Sequence, residues 1–264
     1  MEKKKILIFT GAGVSAESGV ATFRTGDDGL WYNHKVEDVA TPSGWRRDRE
    51  KVLNFYNMRR AQMKDVEPNL AHQIIADLEK DFDVTVVTQN VDDLHERAGS
   101  TNIIHLHGEL TKARGCMYDH KTSSLDTVID IGYNPIKIGD KCPTTGSQLR
   151  PHIVWFGENL DPTFIKKATE VSQECDICII VGTSMQVSPA NQIPSLCKYG
   201  TPIYYVDPGE GFNIPKYSDD NGRWSENVNY VDYTHIQELA STGMEKVKND
   251  LKNILLNDVT NINN

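Results

Sequence analysis

Tyr56 and Arg59 stand three residues apart in NFYNMRRAQM, residues 54–63. Side chains at i and i+3 share a helix face, and Val52, Phe55 and Tyr56 are spaced for that same face. A phenol beside a guanidinium forms a paired donor set suited to a carboxylate. A solvated charge at the edge of an apolar stripe has the same spacing, so both readings stand at this point. A second candidate is GAGVSA, residues 11–16, which satisfies G-x-G-x-x-G/A after an apolar run. Glycines there let backbone N–H groups approach a pyrophosphate, and a following helix N-terminus favours negative charge. A purely structural turn carries the same signature.

These residues need elements to position them. KILIFTGAG reads as a buried strand entering the glycine turn, with Ser15 as N-cap of a short helix. Further β-branched runs are VTVVTQN (84–90), NIIHLHG (102–108), DICIIVGTS (176–184), TPIYYVD (201–207) and VNYVD (228–232). Helical patterns occupy 69–80, 189–199 and 236–255. Continuous apolar strands alternating with helices predict an α/β fold, a Rossmann-like doubly wound parallel sheet covered on both faces. Residues 24–68, without a strand, and 109–152, irregular and polar, break that alternation. The expected division is a nucleotide-binding domain of 1–23, 71–107 and 155–264, with 24–70 and 108–154 as a smaller inserted domain. A hydride-transferring dehydrogenase would continue into a full helix and a second strand ending in an acid. SGVATFRTGDDGLW offers no such strand, which weakens that class.

Composition narrows the partners. Across 264 residues, 28 Lys and Arg face 37 Asp and Glu, a formal net charge of −9. That excludes a uniformly basic surface for nucleic acid. No apolar run approaches the roughly 20 residues of a membrane span, and ILIF is too short for a signal peptide. Five cysteines, an odd count, several in apolar or helical surroundings, read as reduced thiols of a cytoplasmic protein. The polar tail NDVTNINN reads as frayed.

GAGVSAESGVATFR, TQNVDDLH, HLHGEL, RPHIVWFGE and VGTSMQVSPA occur in this order, from about Lys5 to about Asp207. Together they resemble the sirtuin family of NAD-dependent protein-lysine deacylases. The resemblance implies that NAD is consumed. Its glycosidic bond to nicotinamide breaks, the acyl-lysine oxygen captures the ribose carbon, and acylated ADP-ribose and free lysine leave. On this reading Gly11, Ala12, Gly13 and Ser15 cradle the phosphates, with Ala16 packing behind and Phe23 and Arg24 beside them. Gln89, Asn90 and Asp92 follow a strand C-terminus, where ligands of open α/β sheets bind, and would orient ribose hydroxyls and the nicotinamide amide. His107 is the implied base. His105, two residues earlier, reads as structural, and His72 and His95 read as core or helix-surface histidines. Gly182, Thr183, Ser184, Asp207 and Ala240 complete the cofactor set, although many sirtuins have Asn in place of Asp207. IVWFGE (153–158) resembles the extended segment that pairs with substrate peptide, placing Val154, Phe156 and Gly157 against it. Trp155 suits packing as well as contact.

Y-x-x-R in FYNMRR resembles the branch that removes acidic acyl groups, and Ala40 in EDVATP matches the small residue that keeps that pocket wide. Acetyl, succinyl and malonyl groups on protein lysines are the implied substrates. One departure concerns zinc. Sirtuins usually carry two C-x-x-C pairs, but here Cys116 is followed three on by Asp119 and Cys142 by Thr145. Asp119 or His120 could complete a ligand set, yet two thiolates are missing, so a metal-free small domain is expected. The same nucleotide pocket would also serve an NAD glycohydrolase or a protein ADP-ribosyltransferase. A non-catalytic NAD or acyl-lysine sensor fits less well with an intact Gln89, Asn90, Asp92 and His107. Protein targets and oligomeric state leave no mark in the sequence.

Overall fold

The computed structural model describes residues 2–22, 30–31, 34–116, 127–212, 215–218, 224–230 and 232–262; Phe23, Arg24, Asp119 and His120 lie outside these described residues. At its centre is a parallel sheet of six strands. Across it run β13 (Thr234–Ile236), β10 (Ile203–Val206), β9 (Ile177–Val181), β1 (Lys5–Thr10), β4 (Asp83–Thr88) and β5 (Ile103–His105). Successive side chains of a strand point to opposite faces, and β1 is apolar on both. Ile6 and Ile8 pack with α5 (Leu70–Leu78) and α8 (Ala240–Ile262). Leu7 and Phe9 pack with α7 (Pro162–Glu174) and the 3₁₀ segment Ala190–Leu196. The chain adds β4 and β5 on one side of β1, then crosses to add β9, β10 and β13 on the other. The reversal of direction falls between β1 and β9, and open α/β sheets bind ligands outside such a switch point.

A second body of structure packs on the C-terminal side of this sheet. β6 (Gly108–Gly115) lies between β7 (Ile129–Asp130) and β8 (Leu149–Ile153) in an antiparallel sheet. Against it lie α2 (Val36–Val39), α3 (Pro42–Arg47) and α4 (Arg49–Gln62), sharing one apolar cluster that contains Trp45, Val52, Phe55, Tyr56, Leu110, Ile153 and Trp155. Asp48 starts α4 by accepting from Lys51 N at 2.9 Å, and Arg59 and Arg60 close it, where cations suit the helix dipole.

Several sequence expectations are corrected. The stretch 109–152 is not irregular throughout: among the described residues it holds β7 and most of β6 and β8, and β6 and β8 escape notice because buried Arg114, Arg150 and His152 replace apolar alternation. Residues 24–68 do contain strand, the two-residue pair β2 (Leu30–Trp31) and β3 (His34–Lys35). VNYVD does not join the central sheet. It lies in and just beyond β12 (Trp224–Tyr230), which pairs antiparallel with β11 (Pro215–Ser218). The sixth strand is the short, polar Thr234–Ile236, too brief to show a periodicity. Residues 190–196 are 3₁₀ rather than α because Pro194 lacks an N–H to donate. The last helix begins at Ala240, later than its periodicity. Ser15 caps nothing: Ala12 is the N-cap of α1 (Gly13–Ala16), and the Ser15 hydroxyl is buried within the fold.

Candidate active site

The loops after β1, β4 and β9 converge. Gly11 N donates to Val181 O at 3.1 Å and Gly13 N to Gly182 O at 2.8 Å, which seats the first glycine turn on the turn after β9. The fit tolerates no side chain: a Cβ on Gly13 would lie 2.7 Å from Gly182 Cα, and Gly182 itself sits at φ +61°. These two amides are therefore committed to the loop contact. Gln89 Nε2 donates to Thr183 Oγ1 at 3.0 Å, tying the β4 loop to the same place. The Ser184 side is exposed, Ala12 is half-buried and Ala16 is exposed. Asp207 ends β10, half-buried, and its Oδ1 accepts from Gly209 N at 2.8 Å. Ala240 is buried against Val14 and Val206 in the sheet's helical layer.

Beneath the loops lies a buried polar network. Ser15 Oγ accepts from Asn90 Nδ2 at 3.0 Å and donates to Asp92 Oδ2 at 3.1 Å. His72 Nε2 reaches the same hydroxyl at 3.4 Å. Thr10 Oγ1 donates to Thr88 Oγ1 at 2.8 Å, which in turn accepts from Asn90 N at 3.0 Å. His95 Nε2 donates to Thr10 Oγ1 at 3.1 Å. Burial holds the His72 imidazole down at about 4 and His95 well below its ordinary value, so both are neutral. Burial pushes the Asp92 carboxyl up, against the opposing hydrogen bonds of Leu94 N and Ser15. Thr10 and Thr88 are positioning groups that the sequence did not single out, signalled only by their alignment at adjacent strand ends, and of the two readings given to His72 and His95 the core one holds.

His105, at the end of β5, and His107, just beyond it, bond successive carbonyls of the β4 loop, Asn90 O and Gln89 O. His107 Nδ1 donates to Gln89 O at 2.9 Å, which leaves Nε2 as the ring's lone pair. Burial lowers the His107 pKa, with the Gln89 carbonyl opposing, so the ring is neutral and basic at pH 7. The carbonyl of His107 accepts from Val154 N at 2.9 Å, and Phe156 N donates to Ala40 O at 3.0 Å. Residues 154–156 thus bridge the histidine to the end of α2. The segment is not extended throughout: the chain turns after Trp155, Glu158 N bonding Trp155 O at 2.9 Å, with Gly157 at φ +86°. Phe156 is exposed at this turn.

Behind the segment, Tyr56 is fully buried and Arg59 is 5 % exposed, so the guanidinium is not a solvated charge. Trp155 Nε1 donates to Tyr56 Oη at 3.0 Å. Burial raises the Tyr56 phenol to about 12, opposed by the Arg59 charge, so it stays protonated. Arg59 also acts on the Asp92 carboxyl. Ala40 is buried in the same cluster as Tyr56 and Trp155. Arg150 stacks 3.3 Å over the Trp155 ring and binds Glu158 through Nη1–Oε1 at 2.6 Å and Nη2–Oε2 at 3.0 Å. Glu158 Oε2 also accepts from Trp155 N at 2.9 Å. This Arg–Glu fork, unseen in the sequence, locks the bend.

Cys116 and Cys142 are buried in the apolar cluster, and Trp45 Nε1 donates to Cys116 Sγ at 3.2 Å. Among the described residues neither thiol belongs to a group of ligands close enough to share a metal ion. All five cysteines are free.

The Sir2 family profile matches residues 11–189. An NAD-dependent protein deacylase of Bacteroides thetaiotaomicron is 47 % identical over 205 residues, 78 % of this chain and 86 % of that protein. One from Aggregatibacter actinomycetemcomitans is 45 % identical over 210 residues, 78 % of this chain and 95 % of that protein. Among solved structures, a Sir2 homologue in complex with ADP-ribose superposes with a TM-score of 0.77 at 36 % identity, covering 96 % of this chain and 94 % of that one. A Sir2 homologue–NAD complex superposes with a TM-score of 0.76 at 36 % identity, covering 96 % and 91 %. With its glycine turn, its Gln89–Asn90–Asp92 loop and His107 gathered at one edge of the sheet, this chain belongs to the Sir2 family.

Proposed function

We propose that this Sir2-family enzyme is an NAD-dependent protein-lysine deacylase that removes acetyl, succinyl and malonyl groups and releases nicotinamide and O-acyl-ADP-ribose. The observation that carries the reading is the neutral His107, its Nδ1 held by Gln89 O beside the buried Asn90–Ser15–Asp92 network. The site fits NAD by its donor set, which stands at the sheet's switch point where the loops after β1, β4 and β9 meet. When bound, NAD supplies the ribose carbon that accepts the acyl oxygen. Gly11, Ala12, Gly13, Gly182, Thr183, Ser184 and Asp207 would line its path; Phe23 and Arg24 belong to the same proposal, outside the described residues. His107 Nε2 takes up the proton released at the ribose hydroxyls, and Asn90 and Asp92 hold the substrate's polar groups in register. Val154, Phe156 and Gly157 offer backbone to an acylated-lysine segment. Arg59 and Tyr56 meet a distal carboxylate with N–H and O–H donors, and Ala40 leaves it room. The small body, residues 24–70 and 108–154, folds without zinc on this reading.

A panel of acetyl-, succinyl-, malonyl- and long-chain acyl-lysine peptides, incubated with NAD and resolved by mass spectrometry, tests this. Acylated ADP-ribose should appear from the acidic acyl peptides faster than from the long apolar one. NAD loss without any acylated product would instead mark a glycohydrolase or ADP-ribosyltransferase.

A further inference from the structure

Two histidines of one short stretch grip two successive carbonyls: His107 Nδ1 meets Gln89 O, and His105 Nδ1 meets Asn90 O at 3.1 Å. The rings differ at their far nitrogens. His105 Nε2 lies 2.7 Å from Glu96 Oε1. Both neighbours of this ring are oxygens with no hydrogen to give, a peptide carbonyl and a carboxylate. A neutral imidazole carries one N–H and satisfies one of them; only an imidazolium satisfies both. We propose that His105 is a positioning residue that works as an imidazolium: Glu96 holds its second proton, and its other N–H fixes Asn90 in the catalytic turn.

The surroundings support the charge. Glu96 and His95 face the ring from α6 (Leu94–Ala98), Asp92 from the preceding turn, Glu109 and Lys112 from β6, and His152 from β8. The Glu109 carboxylate lies within 4.8 Å of the Glu96 and His105 partners, and Lys112 Nζ binds its Oε1 at 2.8 Å. Two carboxylates therefore balance two cations. Burial keeps His95 and His152 neutral, the latter at about 3, so neither adds positive charge. Burial alone would lower His105; Glu96, then Glu109, outweigh it and raise the ring. Above that raised pKa, Nε2 loses its proton and turns a lone pair on Glu96. The ring then swings or changes tautomer, and Asn90 O loses its donor. Asn90 Nδ2 also serves Ser15, so the slack spreads to Asp92.

Glu96→Gln isolates the charge, because a glutamine amide can donate to a neutral Nε2 and keep the geometry. Ring nitrogen NMR on the whole chain should show two N–H groups on His105 at neutral pH, titrating above the ordinary histidine value of about 6.5. The Asn90 side-chain signals should follow with the same midpoint, and kcat should fall over the same interval. In Glu96→Gln the ring should need at least about tenfold more acid to take its second proton, with the alkaline fall in kcat gone and neutral-pH kcat within about threefold of wild type. His105→Ala should lose roughly tenfold or more at every pH. A singly protonated ring at neutral pH, Asn90 signals indifferent to its titration, or an unchanged alkaline fall in Glu96→Gln would overturn the proposal. The activity arm rests on the deacylase reading; the ring and Asn90 titrations need neither NAD nor peptide, so the two failures are distinguishable.

Discussion

A histidine serves as a base only when one nitrogen is already committed, so that the other presents a lone pair in a fixed direction. Gln89 O does this for His107, and burial keeps the ring neutral. His107→Ala should lower deacylation by roughly 100-fold or more while leaving NAD affinity, followed by calorimetry, within a few-fold. Near-wild-type turnover in that variant would remove His107 from its role. Arg59 poses a different question, because a buried guanidinium discriminates by what it is offered. On the proposed reading a succinyl or malonyl carboxylate would match its donors, an apolar chain would match nothing, and acetyl would be too short to reach it. Arg59→Met should cost the acidic substrates about 2–4 kcal/mol in kcat/KM and acetyl-lysine much less. Equal losses on both would make Arg59 a structural residue.

At the scale of elements, α4 is aimed by polar contacts as much as by its apolar face. Arg60 Nε donates to Leu110 O at 2.6 Å and Nη1 to Asn57 Oδ1 at 2.8 Å; Asn57 in turn clasps the Ile136 backbone at 2.8 and 2.9 Å. That docking on β6 fixes which way Tyr56 and Arg59 point. The same body of structure should need no metal, since Cys116 and Cys142 are core thiols and the Arg150–Glu158 fork supplies the cross-link that the bend requires. Elemental analysis should find no stoichiometric zinc, and chelation should leave the unfolding midpoint in place. One tightly held zinc per chain would reverse this and direct attention to Asp119 and His120. The sequence made five of the six parallel strands legible, because Ile, Val and Leu runs buried on both faces need no context. It hid β6 and β8, whose buried arginines and histidine look like surface, and β13, whose three residues carry no period. Of the site, residues on recurring motifs were legible; Trp155 against Tyr56 and Thr10 against Thr88 were not, because each joins segments distant in the chain, and Glu158 against Arg150 was not, because the turn after Trp155 that brings them together has no marked periodicity.

The whole molecule gathers its titratable groups where three loops meet, and this gives its stability a dependence on pH with two opposing signs. Unfolded, a histidine titrates near about 6.5. Folded, burial holds His72 at about 4, His152 at about 3 and His95 well below its usual value. Between those values the unfolded chain takes protons that the folded chain refuses, so stability falls as pH falls. His105 runs the other way: its folded pKa is raised, so its contribution is complete below about 6.5 and is lost as pH rises through that higher value. With His107 also lowered by burial, the acid side has four histidines against one and should dominate. Denaturant titrations from about pH 7 down to about pH 4 should show a progressive loss, on the order of 1–3 kcal/mol for each buried neutral histidine. His72→Gln is the discriminating variant. Its side chain can still meet Ser15 but cannot take a proton, so it should lower stability at neutral pH and flatten the acid slope. A wild-type curve flat down to about pH 4, or a His72→Gln slope equal to wild type, would show that these rings open to solvent before they titrate.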